Sequence, residues 1–185
     1  MRLGFLGGTF NPPHNCHKGV AYLVMEKLLL DKIIFIPSAN PPHKENLSVS
    51  GRDRFKMAEM MIEDEPHFEI SNLEFKRKGK SFTKDTINEL KVLYPNDEIF
   101  WIIGMDSFVS IPTWESAEKV LDLCNFVVVT RKDYSHKEMP DEMNNKVCFI
   151  DKYGDIDISS TELRGKIKNN EDVSKYLDKK VIDLI

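Results

Sequence analysis

What this chain has little of narrows its class first. It carries three cysteines, Cys16, Cys124 and Cys148, an odd number at wide spacing. That excludes the disulfide frameworks of small secreted domains and suits a reducing compartment. No run approaches the roughly 20 apolar residues of a membrane-spanning helix, and the apolar run in the opening MRLGFLGG is too short for a secretory signal. The expectation is a cytoplasmic protein with no membrane partner. An excess of basic charge is missing too. Lys and Arg number 26 against 30 Asp and Glu, for a net charge of −4, so no global field gathers phosphates along a duplex and nucleic acid is not an expected partner. There is no internal repeat and no low-complexity tract. The 185 residues, 41% hydrophobic and 30% charged, suit one domain over 1–185 with a real core.

Short apolar runs alternate with longer stretches of helical period, the pattern of parallel strands joined by crossover helices. Strands are expected at 2–6, 33–36, 68–70, 98–103 (EIFWII), 126–130 (FVVVT) and 147–150. Helices are expected at 17–30, 52–64, 83–93, around 116–123, at 159–168 and, as a closing helix, at 173–185, where Val173, Leu177, Val181 and Leu184 form one stripe. The C-terminal part, about 159–185, is thus read as helical. Residues 37–49, with three prolines, form a loop at the carboxyl end of the second strand. The basic run KRKGK at 76–80 is a solvated turn or a phosphate clamp, and the polar stretch 132–145 a surface loop. The fold class is α/β: a Rossmann-like, doubly wound parallel sheet of five to six strands. The closing stripe packs either on this sheet or on a second copy, which leaves a homo-oligomer open.

In such sheets ligands sit beyond the carboxyl ends of the strands, and the residues there are unusual. Neither GxGxxG nor a Walker loop is present. Instead the first strand runs into Gly7-Gly8-Thr9-Phe10-Asn11-Pro12-Pro13-His14-Asn15-Cys16-His17. Two glycines let backbone approach a polyphosphate, and the next helix offers free N–H groups at its start. His14 and His17, three apart, fall on one side of that start, where they either converge on a phosphate or cap the helix. A zinc site from His14, Cys16 and His17 uses acceptable ligands. However, Cys16 directly precedes His17 and no other cysteine belongs to a ligand pair, so no protein-held metal is expected and Cys16 is read as a packed side chain.

Far along the chain, Asp157-Ile158-Ser159-Ser160-Thr161-Glu162-Leu163-Arg164 has Ser159 and Glu162 at capping-box spacing. The same hydroxyls at a positive helix end, with a guanidinium one turn on, make an anion site. Paired with the glycine-histidine loop, this segment supplies the second half of a triphosphate cradle.

GGTFNPPHNCH and ISSTELR together resemble the paired signatures of the nucleotidyltransferase superfamily with a (T/H)xxH element, and specifically the bacterial nicotinate mononucleotide adenylyltransferases. PSANPPHK at 37–44, SFTKDT at 81–86, GMDS at 104–107 and Trp114 fall in the order of that family's motifs, so the resemblance spans essentially the whole chain. It implies transfer of AMP from ATP to nicotinate mononucleotide, giving deamido-NAD and pyrophosphate with Mg2+ assisting. The substrate phosphate is then the nucleophile, and positioning and charge stabilisation are the protein's task.

On that resemblance His14, His17 and Arg164 are the catalytic set. ATP contacts come from Gly7, Gly8, Thr9, Phe10, Arg131, Ser159, Ser160 and Thr161. Asn40, His43 and Lys44 approach the mononucleotide phosphate, Thr83 belongs to the acceptor side, Asp106 takes a ribose hydroxyl and Trp114 stacks on the nicotinate ring. Alternatively, Asp106 is a helix N-cap and Trp114 a half-buried aromatic. Four residues depart from the family pattern: Asn11 for Asp, Cys16 for Gly, Phe82 for Tyr, and Glu115 for an aromatic. A carboxylate at Glu115 repels the nicotinate carboxylate, so either it turns away or the preference for the acid is weakened. The rival readings are a sister enzyme with another acceptor (nicotinamide mononucleotide or phosphopantetheine) and a catalytically silent nucleotide-binding module.

Overall fold

The computed structural model describes residues 1–42, 47, 49–130, 140–151 and 158–185. Six strands form one sheet: β1 (Arg2–Gly8), β2 (Lys32–Pro37), β3 (Phe68–Ile70), β4 (Glu98–Gly104), β5 (Asn125–Thr130) and β6 (Val147–Asp151). Their order is β3-β2-β1-β4-β5-β6, and every neighbouring pair is parallel. The chain leaves β1 toward β2 on one side and returns to β4 on the other. The carboxyl ends of β1 and β4 therefore flank the switch point where such sheets open a crevice.

The strands are apolar on both faces because both are covered. Period-two alternation sends Leu6, Phe100, Ile102, Val127 and Val129 into one core and Leu3, Phe5, Ile99, Trp101, Ile103, Phe126 and Val128 into the other. The first core is closed by α1 (Asn15–Leu28), α2 (Gly51–Ile62), α7 (Ser160–Lys168) and the C-terminal segment. The second is closed by α3 (Thr83–Leu93), α4 (Met105–Ser110) and α5 (Ala117–Val120). At the start of α2, Ser50 Oγ accepts the Asp53 N–H at 3.2 Å. Leu29 ends α1 in the left-handed region at φ 50°.

Several expectations need correction. The helix around 116–123 is the four-residue turn α5, and α4 with the 3-10 turn Ile111–Thr113 precedes it. These pieces are too short to carry a period. The stretch read as a loop at 132–145 contains α6 (Asp141–Asn144), while 131–139 lie outside the described residues. KRKGK begins inside the 3-10 turn Leu73–Lys76.

The closing helix at 173–185 reduces to α8 (Lys179–Ile182). Asp172 accepts the Ser174 N–H at 2.9 Å and Asp178 accepts the Lys180 N–H at 3.0 Å. Such local side-chain bonds offer the backbone an alternative to a continuous helix. Val173, Leu177 and Val181 still bury in the first core, whereas Leu184 is 43% exposed. The stripe thus packs on its own sheet.

Candidate active site

A cavity of about 790 Å³ opens at the switch point between β1 and β4. Its first wall is the turn after β1. A Cβ on Gly7 would lie 2.5 Å from Trp101 Cζ2, and one on Gly8 3.1 Å from the Phe10 ring, so side chains at either position would crowd the turn. Phe10 takes φ 50° and buries its ring against Phe35 and the edge of His17. The chain then enters α1 through His14, which is extended at φ −152° and ψ 167°.

His14 is 2% exposed, and its ring centroid lies 3.8 Å from that of His17. The His14 backbone N–H donates to His17 Nδ1 at 3.1 Å. An Nδ1 that accepts this bond leaves the neutral ring's proton on Nε2, so the His17 donor is at the far side of the ring from the helix start. Spacing predicts the meeting of the two imidazoles, and both line the cavity. Contacts at the helix start and a place in the cavity lining therefore coexist.

The second wall is the start of α7. Ser159 and Glu162 form the capping box, with the Glu162 N–H donating to Ser159 Oγ at 3.1 Å and the Ser159 N–H to Glu162 Oε2 at 2.7 Å. Ser159 lines the cavity along with Ser160, Thr161 and Arg164. Ser160 Oγ donates to the Pro12 carbonyl at 3.1 Å and Arg164 Nη1 to the Asn11 carbonyl at 2.8 Å. Arg164 Nη2 donates to Thr161 Oγ1 at 3.0 Å. Two segments about 150 positions apart thus close on one space, lined by imidazoles, hydroxyls, a guanidinium and two helix N-termini. Such a donor set suits a polyphosphate.

The third wall is made by Phe82, Thr83, Asp106, Ser110, Trp114 and Glu115. Asp106 lies in the first turn of α4; Gly104, not Asp106, is the N-cap. Its Oδ1 would lie 2.7 Å from a Cβ on Gly104, so glycine there gives the carboxylate room. Trp114 is half-buried, and its Nε1 donates to Ser110 Oγ at 2.9 Å while Ser110 Oγ donates to the Ser107 carbonyl at 2.8 Å. This fixes one edge of the indole. Glu115 Oε1 accepts Lys84 Nζ at 3.1 Å.

Of the acceptor-side expectations, Asn40 does not line this cavity. It is exposed and spends its amide on the Gly79 carbonyl at 3.1 Å. It serves as a tie to the 79–81 turn, reinforced by Asn40 N–H to Ser81 Oγ at 3.0 Å. His43 and Lys44 lie outside the described residues, as does Arg131.

Sequence reasoning missed the brace behind the cavity. Arg54 is 1% exposed; its Nη1 donates to the Thr9 carbonyl at 2.5 Å and its Nη2 to the Ala39 carbonyl at 3.3 Å. It therefore joins the turn after β1 to the loop after β2. Burial pulls the guanidinium below its ordinary pKa, and the Glu74 carboxylate works against that. Glu74, 5% exposed, accepts the Ala39 N–H at 3.3 Å and Thr86 Oγ1 at 2.7 Å. Arg77 donates to Thr86 Oγ1 at 2.8 Å and to Glu89 at 2.7 Å. One signal was available for Arg54: it falls on the buried stripe of α2 with Met57, Ala58, Met61 and Ile62.

Residues 5–166 match the model of the cytidylyltransferase-like family. The probable nicotinate-nucleotide adenylyltransferase of Clostridium novyi (strain NT) is 40% identical over 185 residues, covering 96% of this chain and 92% of that one. The protein of the same name from Fusobacterium nucleatum subsp. nucleatum is 40% identical over 187 residues, covering 100% and 97%. Among solved structures, Plasmodium falciparum nicotinic acid mononucleotide adenylyltransferase complexed with NaAD superposes with a TM-score of 0.83 at 20% identity. That likeness covers 100% of this chain and 94% of that one; at such identity it speaks for the fold.

Proposed function

The chain belongs to the cytidylyltransferase-like family, and from that footing we propose that it is an adenylyltransferase moving AMP from ATP to nicotinate mononucleotide, yielding deamido-NAD and pyrophosphate. Its relatives bear the name nicotinate-nucleotide adenylyltransferase over nearly their whole length. The observation that carries the reading in this chain is the closure of Arg164 on Asn11 and Ser160 on Pro12, which makes one anion cradle of two distant segments.

In the reaction a phosphate oxygen of the mononucleotide bonds to the α-phosphorus of ATP, and the bond from that phosphorus to the α,β-bridging oxygen breaks. The electron pair leaves with pyrophosphate, so no proton relay or covalent intermediate is required. The protein's work is to hold the two phosphates in line and to stabilise charge on the leaving group. His14 and His17 stand at the ATP phosphates, with the backbone of Gly7, Gly8, Thr9 and Phe10 against the nucleotide. Ser159, Ser160, Thr161 and Arg164 receive the β- and γ-phosphates, at the positive end of α7. Asp106 takes the acceptor's ribose hydroxyls, Trp114 offers an aromatic face to its ring, and Thr83 stands beside it.

Among the described residues no three His, Cys, Asp or Glu side chains group as a metal site. Mg2+ takes oxygen ligands, so the nucleotide's own phosphates rather than these hydrogen-bond donors would hold it, and it would supply charge neutralisation there. Purified protein given ATP, Mg2+ and nicotinate mononucleotide is expected to release pyrophosphate and form the dinucleotide in equal amounts. Absence of pyrophosphate with this and the other mononucleotide acceptors would return the chain to a silent binding module.

A further inference from the structure

We propose that Lys84, by neutralising Glu115, preserves the site's preference for an acceptor ring bearing a carboxylate over one bearing a neutral amide. This rests on the acceptor reading above and assigns a specificity role within that same site. Glu115, immediately after Trp114, and Thr83, immediately before Lys84, both line the cavity. Lys84 Nζ reaches Glu115 Oε1 at 3.1 Å and Ser116 Oγ at 3.4 Å. The pair thus clasps the start of α3 to the segment after Trp114, at the end of the cavity that takes the ring.

Helix stability does not account for Lys84. It is the second residue of α3, where the macrodipole disfavours a cation, and Phe82 at the N-cap contributes no side-chain bond to the open N–H groups. Nor does global stability account for it. The side chains are 28% and 52% exposed, and exposed pairs contribute little. What the pair does accomplish is neutralisation. Glu115 alone places a negative charge on the wall that an anionic ring substituent must approach; with Lys84 on its carboxylate, the N–H groups at the start of α3 decide the local field.

The charge algebra gives three variants with different signs. Lys84→Met unmasks Glu115 and lowers the ratio of kcat/KM for nicotinate over nicotinamide mononucleotide by about fivefold, the effect of one unit charge a few ångströms away in a water-like medium. Glu115→Gln leaves the ammonium unopposed and raises the ratio by a similar factor. The double variant Lys84→Met/Glu115→Gln returns it close to the starting value. Raising the salt to about 1 M, where the Debye length shrinks to about 3 Å, compresses all three shifts.

The experiment is steady-state kinetics of wild type and the three variants with both mononucleotides at low and high salt. Opposite shifts in the two single variants, cancelling in the double, support the proposal. Equal changes for both acceptors, or unchanged ratios in an active wild-type background, overturn it while leaving the adenylyltransferase reading in place. A wild-type protein that adenylylates neither mononucleotide removes both.

Discussion

The guanidinium of Arg164 donates to the carbonyl of Asn11 at 2.8 Å across 153 positions of sequence. The bond fixes the start of α7 against the turn after β1, so that two helix N-termini line one cavity. It also holds a guanidinium, which cannot lose its charge at ordinary pH, in the lining of the cavity.

His17→Ala is expected to lower kcat by about 10²-fold, the scale of a lost donor to developing charge, with little change in thermal midpoint. His17 is only partly buried and its bond to the His14 N–H is local. Parallel activity and melting measurements decide the matter: a variant that unfolds but retains its rate when folded would make the residue a packing element.

Arg54→Met removes the brace between the turns after β1 and β2 and leaves Glu74 buried without its countercharge. Losing two hydrogen bonds from a charged donor to these carbonyls costs about 3 kcal/mol, measurable by urea denaturation, and KM should rise for both ATP and the acceptor. Adding Glu74→Gln removes the stranded charge and should recover part of the stability. A variant as stable as the parent would deny Arg54 its bracing role.

Trp114→Ala should raise KM for the acceptor roughly fivefold, corresponding to about 1 kcal/mol of aromatic contact, with a far smaller effect on KM for ATP. Ser110→Ala removes only the partner of the indole N–H and should move acceptor KM in the same direction by less. Equal effects on both substrates would place Trp114 in the framework and not against the ring.

Burial pushes the Cys124 thiol up to about 12 from its ordinary 9.0. The folded pKa lies above the unfolded one, so this contribution to stability is fully present below pH 9 and is lost as pH rises toward 12. Denaturation midpoints between pH 8 and 11 should fall less steeply in Cys124→Ala than in the parent. At pH 8 a thiol reagent should modify exposed Cys148 well before Cys124 or buried Cys16; rapid labelling of Cys124 in the folded protein would contradict this.

Much of this architecture was legible in the residues. Strands such as FVVVT and EIFWII are apolar on both faces because the sheet is covered twice, and α3 runs from Thr83 to Leu93 as its period predicts. The glycine-histidine turn and the Ser-Ser-Thr-Arg segment stood out because each holds hydrogen-bond donors where a helix begins, and the two do line one cavity. The closing helix was misread because the stripe of Val173, Leu177 and Val181 is buried regardless of helix, while Asp172 and Asp178 turn the chain locally. That Asn40 bonds the 79–81 turn was not legible, because a polar residue in a strand-end loop gives no sign of whether it faces the cavity or backbone. Arg54 escaped because charge in an amphipathic helix reads as solvated, although its place among Met57, Ala58 and Met61 put it on the buried side.

The most direct test of the central claim is calorimetric titration of a non-hydrolysable ATP analogue with Mg2+ into wild type, His17→Ala, Arg164→Ala and the double variant. If the turn after β1 and the start of α7 grip one triphosphate, each single variant weakens binding about tenfold or more, and the double-variant loss departs from the sum because the two groups share one ligand. Undiminished affinity in either single variant would contradict the account.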